Sequence, residues 1–379
     1  MPAEAVRSVP LLNLRPQYEA IREEVQAVVE RIMASQQFIL GHEVEAFEQR
    51  IASYCSAPHA ISCASGSDAL LLALKAAGIG PGDEVITTPF TFFATAGAVI
   101  HAGARPVFAD VEECSFNLDP QCFEDAVRRH PSAKAVIPVH LFGACADMDE
   151  INRIAEGAGM IVIEDAAQAL GAEYKGKRAG SLAPLACFSF FPTKNLGGFG
   201  DGGMITTTDS SLASRLRSLR VHGSKERYIY EEVGYNSRLD ALQAGVLSVK
   251  LNYLDVWTSA RQHNAARYTE LFQHSGAPVQ TPHAAPYQNR HVFNQYSILC
   301  PRRDELRSFL AKEGIGSEIY YPVPLHVQKC FADLGYQKGD FPVSERLAEE
   351  ILALPVYPEL PAEDLERVAS RIAAFYGQA

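Results

Sequence analysis

Short apolar segments alternate with helical segments through the first half of the chain. The strand-length apolar segments are residues 59–63, 84–88, 106–109, 135–139, 160–163 and 204–207. Short buried strands that alternate with helices form βαβ units, in which the strands pair in parallel and the helices cover both faces of the sheet. The alternation therefore predicts an α/β fold built on a mostly parallel sheet.

The pattern of the chain changes before the first strand and again near residue 295. Two helices are predicted at 17–34 and 43–54. After residue 295 the strands and helices alternate less regularly, as in a smaller α+β domain. A chain of 379 residues is long enough for a large domain and a smaller companion. We place the boundary near Asp255, with a large domain over 1–255 and a small C-terminal domain over 256–379.

Composition excludes several classes of protein. The net charge of −11 disfavours a non-specific surface for nucleic acid or for an anionic membrane. The eight cysteines form no C-x-x-C pair and no cysteine–histidine cluster with zinc spacing, so no metal site is predicted. No apolar run is long enough to span a bilayer, and the first ten residues lack an apolar signal core. We therefore expect a reduced, cytoplasmic protein.

Ligands of such sheets bind beyond the carboxyl ends of the strands, so the residues there are the first candidates. Ser65-Gly66-Ser67-Asp68 opens a helix after the first strand, where free N–H groups suit a phosphate. A plain helix N-cap is the alternative, and for this segment alone it is favoured. Phe92 follows the second strand and can stack on a flat ring, whereas Phe90 and Phe93 are expected to pack in the core.

Two carboxylates and a lysine follow later strands. Glu164 and Asp165 end a buried strand, where a carboxylate either finds a cationic or hydrogen-bonding partner or caps a helix at the surface. Lys194 follows the aromatic run 187–191, which is predicted to be a strand, and precedes the glycine-rich segment 197–203. Desolvation there would lower the pKa of the lysine and free its lone pair for attack on a carbonyl. A surface lysine in a turn is the alternative.

Together these features match the needs of one cofactor, pyridoxal phosphate (PLP). PLP needs a phosphate anchor, a stacking face, an acid beside its protonated pyridine nitrogen and an amine for a Schiff base. The strand ends supply a candidate for each need. The sequence therefore predicts a PLP enzyme.

Six motifs occur together along the chain. They are S-G-S-D-A-L at 65–70, T-F-F-A-T at 91–95, E-D-A-A-Q at 164–168, F-S-F-F-P-T-K at 188–194, G-Y-N-S-R-L at 234–239 and Y-P-V-P-L-H at 321–326. With these motifs the chain resembles the DegT/DnrJ/StrS family of sugar-nucleotide aminotransferases, over about residues 10–358. The resemblance implies a fold-type-I PLP architecture, with a seven-stranded sheet between helices and a smaller α+β domain. It also implies a homodimer with shared active sites.

The resemblance assigns cofactor roles residue by residue. Lys194 would form the Schiff base and move the proton on the substrate carbon, while Asp165 would pair with the pyridine nitrogen. Gln168 would lie near the 3′ oxygen of the ring, and Phe92 would stack on it. The phosphate would be held by Gly66, Ser67, the Asp68 backbone, Ser189 and, from the neighbouring subunit, Asn236.

The implied reaction moves an amino group from an amino acid, L-glutamate, to a nucleotide-linked keto-sugar, in particular a 3-keto sugar, and releases 2-oxoglutarate. One site that serves both substrates in turn gives ping-pong kinetics. The residues that would face the sugar are Arg238, Tyr320, Tyr321 and His326. Where relatives have His-Tyr-Pro, this chain has Tyr320-Tyr321-Pro322.

Two rival functions are weighed against this reaction. PLP-dependent sugar dehydratases of the same family carry histidine at the position of Lys194, so the lysine argues against that activity. A rival of another class is a non-catalytic sensor or regulatory homologue, which the complete set of cofactor residues disfavours.

For two features the sequence allows either a functional or a structural role. His140 follows a strand and either lies near the cofactor or is structural. Six basic residues either meet a nucleotide diphosphate or form salt bridges on a solvated helix face. They are Arg215, Arg217, Arg220, His222, Lys225 and Arg227.

Overall fold

The computed structural model describes residues 8–226 and 228–377. Its helices are α1 (Arg15–Ser35), α2 (His42–Cys55), α3 (Gly66–Ala76), α4 (Ala94–Ala102), α5 (Pro120–Arg129), α6 (Met148–Gly157), α7 (Ser210–Leu219), α8 (Ala241–Leu251), α9 (Leu254–Ser275), α10 (Arg303–Lys312), α11 (Pro342–Glu350) and α12 (Ala362–Gly377). Its strands are β1 (His59–Cys63), β2 (Glu84–Thr87), β3 (Arg105–Phe108), β4 (Ala135–Ile137), β5 (Ile161–Asp165), β6 (Glu173–Tyr174), β7 (Lys177–Arg178), β8 (Leu185–Ser189), β9 (Gly203–Thr207), β10 (Ser224–Glu226), β11 (Ile229–Tyr230), β12 (Gln288–Arg290), β13 (Tyr296–Leu299) and β14 (Ile351–Leu354).

A seven-stranded sheet lies at the centre of the large domain, in the order β1-β9-β8-β5-β4-β2-β3. The strands from β8 to β3 pair in parallel, and β9 is antiparallel to both of its neighbours, β1 and β8. Six strands therefore point the same way, and their carboxyl ends meet at one edge. The predicted α/β fold with a mostly parallel sheet is confirmed.

Helix α1 packs one apolar face on α8. Ile21, Val25, Val28 and Ile32 are buried along α1 at the three- and four-residue spacing that the sequence shows, and most of its remaining side chains are exposed. Helix α8 is largely buried because α1 and α2 both pack against it. This layer lies beside the glycine-rich segment, so it supports one side of the predicted site.

Helix α9 contributes to two hydrophobic cores. Its first residue, Leu254, packs in the core under the large sheet, whereas Tyr268 and Phe272 pack in a second core around β13 and β14. The chain then returns to the large domain, where β12 pairs with β6 and Val292 is buried. The boundary at Asp255 thus falls at the start of a helix shared by both cores, and it stays a prediction.

Three segments differ from the sequence-based expectations. The aromatic strand ends at Ser189, two residues earlier than predicted, and Phe191 is half exposed. The sequence also predicts a strand at 317–321, which is wrong, since only Glu318 forms a bridge there, to Ala353 of β14. Strand β14 was not predicted and pairs with β13. Such two- to four-residue strands are too short to show a period, so tertiary pairing decides them.

No helix in the described part of the chain is both long enough and apolar enough to cross a bilayer. All eight cysteines are free thiols. The cytoplasmic location stays a prediction.

The carboxylate of Glu164 fastens the loop 180–183 to the sheet. It is fully buried and accepts hydrogen bonds from three backbone N–H groups of that loop, at 2.8, 2.9 and 2.9 Å. His140 Nε2 lies 3.0 Å from the same carboxylate. Because His140 Nδ1 accepts from the Ala146 N–H, Nε2 carries the proton and donates to Glu164. The structural role fits His140, and a surface capping role for Glu164 is wrong.

We expect the substitution Glu164→Leu to destabilise the fold strongly. It would leave four buried donors without an acceptor, and each unpaired donor costs about 1–3 kcal/mol. The free energy of unfolding should therefore fall by at least about 3 kcal/mol, measured by urea unfolding. The control Glu124→Gln breaks an exposed pair with Arg128 and should cost less than about 1 kcal/mol. An unchanged unfolding midpoint in Glu164→Leu would contradict the buried network.

Candidate functional site

The carboxyl ends of β1, β5 and β8 bring the predicted cofactor residues together. Asp165 is the last residue of β5, and Ser189 is the last residue of the neighbouring β8. Gly66 begins α3 directly against Ser189, since a Cβ added to Gly66 would lie 2.6 Å from the Cβ of Ser189. Lys194 follows β8 in a turn closed by its N–H donating to the Phe191 carbonyl at 2.9 Å.

Lys194 has the properties of a nucleophilic amine. Burial lowers its pKa to about 8, and the nearby Asp165 carboxylate acts in the opposite direction. Its ammonium has no hydrogen-bond acceptor among the residues that the structure describes. A lysine with this pKa holds a large fraction of neutral amine near pH 8, as covalent catalysis requires.

Asp165 is a buried carboxylate with spare acceptor capacity. Its Oδ2 accepts from the Thr95 hydroxyl at 2.7 Å, and its Oδ1 accepts from the Ala167 N–H at 3.2 Å. Burial raises its pKa, and these hydrogen bonds and the charge of Lys194 partly oppose the rise. It forms no ion pair within residues 8–226 and 228–377, so a cationic N–H group placed beside it would stabilise its charge.

Thr95 is a site residue that the sequence reasoning missed. Its hydroxyl also lies 3.0 Å from the Thr91 hydroxyl, so the two threonines form a chain of hydrogen bonds that ends on Asp165. The only sequence signal is the four-residue spacing of these threonines within the T-F-F-A-T motif. That spacing is equally common in threonines that pack in a helix.

The start of α3 has the geometry of an anion site. The Ser65 hydroxyl accepts from the Asp68 N–H at 3.1 Å, so the N-cap interpretation is confirmed for Ser65. The N–H groups of Gly66 and Ser67 have no partner in the described parts of the chain, and the Ser189 side chain lies against Gly66. Free N–H groups at a helix start, with a hydroxyl beside them, suit a phosphate.

Glycine at position 203 lets the backbone pass close to this helix start. A Cβ at Gly203 would lie 2.2 Å from the Ser65 carbonyl oxygen, which no larger residue could accommodate. The glycine thus allows a close approach between the start of β9 and the segment before α3. Ser237 adds a second constraint, because its hydroxyl donates to the Asp68 carboxylate at 2.6 Å and accepts from the Ala64 N–H.

Gln168, Tyr321 and Phe92 lie together beside Asp165. Gln168 Oε1 accepts from the Phe142 N–H at 2.7 Å, and its Nε2 donates to the Tyr321 hydroxyl at 3.0 Å. The rings of Tyr321 and Phe92 have centroids 6.2 Å apart, and Phe92 is 56% exposed. Burial raises the pKa of Tyr321, so its hydroxyl stays neutral at physiological pH.

The other two phenylalanines after β2 have different environments. Phe90 is fully buried, as predicted. Phe93 is 46% exposed, so its predicted place in the core is wrong. The ring of Phe93 instead packs on Phe331 from the C-terminal half, with centroids 5.6 Å apart.

The predicted sugar-facing residues do not all reach one surface. Arg238 is partly buried and makes no side-chain hydrogen bond or ion pair within the described residues, whereas Asn236 is exposed. Tyr320 is partly buried beside Tyr321. His326 is only 1% exposed and its Nε2 lies 3.0 Å from the Glu345 carboxylate, and its sugar-facing role stays a prediction.

Three of the six basic residues between Arg215 and Arg227 form salt bridges within the chain. The pairs are Arg215–Glu232 (2.9 Å), Arg220–Glu48 and Lys225–Glu231 (2.6 Å). Arg217 and His222 are exposed, and Arg227 lies outside the described residues. Arg220 is buried and Lys225 lies on β10, so of these three only Arg215 fits a salt bridge on a solvated helix face.

Known proteins resemble this chain over most of its length. A family model of the DegT/DnrJ/EryC1/StrS aminotransferase family matches residues 19–373. A protein of Geobacillus stearothermophilus named pleiotropic regulatory protein is 52% identical over 97% of this chain and 99% of its own length. The UDP-N-acetyl-3-dehydro-alpha-D-glucosamine 3-aminotransferase of Acidithiobacillus ferrooxidans is 44% identical over 96% of this chain and 97% of its own length.

Solved structures share the whole fold. S. venezuelae DesV, in complex with a ketimine intermediate, superposes with a TM-score of 0.94 at 42% identity, over 97% of this chain and 98% of that chain. NtdA from Bacillus subtilis, with bound cofactor PMP, superposes with a TM-score of 0.91 at 29% identity, over 100% of this chain and 87% of that chain.

The residues at the strand ends fit PLP. Lys194 supplies an amine of lowered pKa, Asp165 supplies a buried carboxylate with free lone pairs, and the start of α3 supplies unpaired N–H groups against Ser189. The predicted cofactor is confirmed by the match to the family and by its PMP-bound structural neighbour. The chain belongs to the DegT/DnrJ/EryC1/StrS aminotransferase family and is a PLP-dependent aminotransferase.

Proposed function

We propose that this aminotransferase moves an amino group from L-glutamate to a nucleotide-linked 3-keto sugar. The observation that carries the proposal is the pairing of Lys194, a buried amine of lowered pKa, with Asp165 at one edge of the sheet. The relative from Acidithiobacillus ferrooxidans supports the sugar class, because its name describes amination of a UDP-linked 3-dehydro sugar.

Lys194 and Asp165 have complementary roles in the proposed reaction. PLP, when bound, supplies an aldehyde that accepts the amino group and a ring that withdraws electrons from the substrate carbon. The Lys194 amine would take the proton from that carbon and deliver it to the aldehyde carbon of the cofactor. The Asp165 carboxylate, fixed by Thr95 and Ala167, keeps the ring nitrogen protonated.

The remaining residues position the cofactor. Gly66, Ser67, Asp68 through its backbone, and Ser189 hold the phosphate at the start of α3, where the helix dipole favours an anion. Phe92 would stack on the ring of the cofactor. Gln168, whose amide is oriented by the Phe142 N–H and the Tyr321 hydroxyl, would lie near the 3′ oxygen.

The sugar side of the site is formed by fewer residues than the sequence alone indicates. Arg238 offers a guanidinium without an ion partner in the described chain, and Tyr320 and Tyr321 offer two hydroxyls. Arg238 would bind a sugar oxygen or a sugar carboxylate by a charge-assisted hydrogen bond. His326 is omitted because it is buried against Glu345.

Exposed apolar side chains support a homodimer that shares its active sites. Phe92, Phe191 and Phe199 are each at least 50% exposed, and all three lie in segments that form the site. Monomeric proteins rarely leave such a patch open to water. Asn236 is exposed as well, so it can reach the phosphate held by a second copy of the chain.

The regulatory function is the second candidate, because the relative from Geobacillus stearothermophilus is named a pleiotropic regulatory protein. A regulator has no need for an amine of lowered pKa next to a buried acid. Catalysis is therefore the function that the site supports better. The two are separated by turnover, which only an enzyme shows.

The sugar class is tested with a panel of 3-keto and 4-keto nucleotide sugars, assayed with L-glutamate. We expect 3-keto sugars to be aminated at least about tenfold faster, since misplacing the carbonyl by one ring position loses the near-attack geometry. We also expect parallel lines in double-reciprocal plots, as for a ping-pong mechanism. Preference for 4-keto sugars would overturn the sugar assignment, and the absence of turnover with any pair would favour the regulatory role.

The shared site is tested by mixing two inactive variants, Lys194→Ala and Asn236→Ala. A mixed dimer has one site with both residues intact and one with neither, and half of randomly paired dimers are mixed. Activity should therefore recover to about a quarter of the wild-type level at limiting PLP. No recovery, with mixed dimers shown by native mass spectrometry, would contradict a site built from two chains.

A further inference from the structure

A small cavity opens beside the catalytic lysine, on the side of the second core. Its volume is about 130 Å³, and Thr193, the neighbour of Lys194, forms part of its wall. The opposite walls come from α9, the segment after β14 and the Tyr320 loop. Thr193 precedes Lys194 and Tyr320 precedes Tyr321, so the cavity borders the predicted site on the side of the C-terminal half.

One buried guanidinium faces this cavity. Arg261 lies on α9 and is 5% exposed, and its one hydrogen bond runs from Nη1 to the Phe293 carbonyl at 3.1 Å. It forms no ion pair in the described part of the chain. A guanidinium has five N–H donors, so most of the donors of Arg261 remain available for a ligand. A buried cation without a partner is costly, which makes an anionic ligand favourable here.

The nearby charges leave an excess of positive charge. Glu359 is the acid whose charge acts on both Arg261 and the buried Lys250. One carboxylate therefore balances two cations. Burial lowers the pKa of Arg261 to about 10 and that of Lys250 to about 8, so both are mostly protonated near pH 7. A second carboxylate from a ligand would neutralise this cluster.

The size of the cavity limits what can enter. A cavity of about 130 Å³ has room for several water molecules or for a carboxylate on a short carbon chain. The unpaired Oδ1 atom of Asn294, also on the cavity wall, is a buried acceptor for an N–H or O–H of the ligand.

We propose that this cavity is the donor subsite, in which Arg261 binds a carboxylate of glutamate while its amino group lies at Lys194. The inference rests on the proposed function, because it assumes a dicarboxylic amino donor. The planar guanidinium can bind a carboxylate in a bidentate manner, which fixes the orientation of the donor as well as its affinity. Tyr320 borders the same cavity, so the loop that differs from the relatives' His-Tyr-Pro contacts the donor.

The first test compares the two half-reactions of the holoenzyme in single turnover, followed by cofactor absorbance. Loss of a charge-assisted, bidentate contact should weaken glutamate binding by about 10- to 100-fold in Arg261→Met. The keto-sugar half-reaction should change less than about twofold. Arg267→Met is the matched control, since Arg267 lies on the same helix and pairs only with the exposed Glu270 and Glu366.

A second variant guards against misfolding, because Arg261 also holds the Phe293 carbonyl. Leu12 lies partly buried on the cavity wall, and Leu12→Trp would fill the space while leaving Arg261 in place. We expect the same selective loss of glutamate binding. Unchanged glutamate binding in folded Leu12→Trp and Arg261→Met would overturn the inference and leave the proposed function intact. A selective loss in the sugar half-reaction would assign the carboxylate to the sugar and overturn the donor role.

A binding measurement separates the subsite from the proposed function. Glutarate, a dicarboxylate without an amine, should raise the melting temperature of the wild-type holoenzyme, whereas butyrate should not. The increase in melting temperature should vanish in Arg261→Met and in Leu12→Trp and persist in Arg267→Met. A glutarate shift in an enzyme that does not react with glutamate would refute the proposed donor but keep the carboxylate subsite. The absence of a shift in the wild type would refute the subsite.

Discussion

The active site depends on a buried carboxylate, that of Asp165, which forms no ion pair among the residues that the structure describes. Asp165 and Glu164 are neighbours at the end of β5 and point to opposite faces of the sheet. Glu164 receives four donors and holds a loop, whereas Asp165 receives two and keeps lone pairs free. One strand end thus provides both a structural anchor and a functional acid. The parallel sheet makes this possible, because it aligns β5 with β1 and β8 at the same edge.

Two buried lysines on this side of the molecule have similar pKa values and different roles. Burial lowers the pKa of both Lys194 and Lys250 to about 8. Lys250 donates to the Gly197 carbonyl, so it fixes the glycine-rich segment that follows the catalytic lysine. Lys194 has no acceptor among the described residues, and its lone pair is available for chemistry. The two lysines differ in whether the amine has a hydrogen-bond acceptor, and this difference, more than the pKa, separates the structural lysine from the reactive one.

Sequence reasoning predicted the layered fold and the core of the site, because both depend on local patterns. Strand-and-helix alternation located the sheet edge, and the edge located Asp165 and Lys194, whereas Ser189 came from the family resemblance. It missed Thr95, β14 and the Arg261 cavity, since these depend on contacts between segments distant in sequence. For the same reason a motif does not show that Glu345 covers the imidazole of His326, whose sugar-facing role stays a prediction. Phe93 was expected in the core, but its ring packs on Phe331, which is distant in sequence.

The central claim is tested most directly by two measurements on the apoenzyme. They are which lysine reacts with PLP and how the extent of that reaction depends on pH. A brief pulse of PLP, fixed with borohydride and mapped by peptide mass spectrometry, identifies the lysine that attacks the aldehyde. A lowered pKa means that the amine is neutral above about pH 8, so capture should rise with pH and be half-maximal near 8. The account predicts a label on Lys194 with that midpoint. A label on Lys250 instead, or a midpoint near the ordinary lysine pKa of about 10.4, would contradict it.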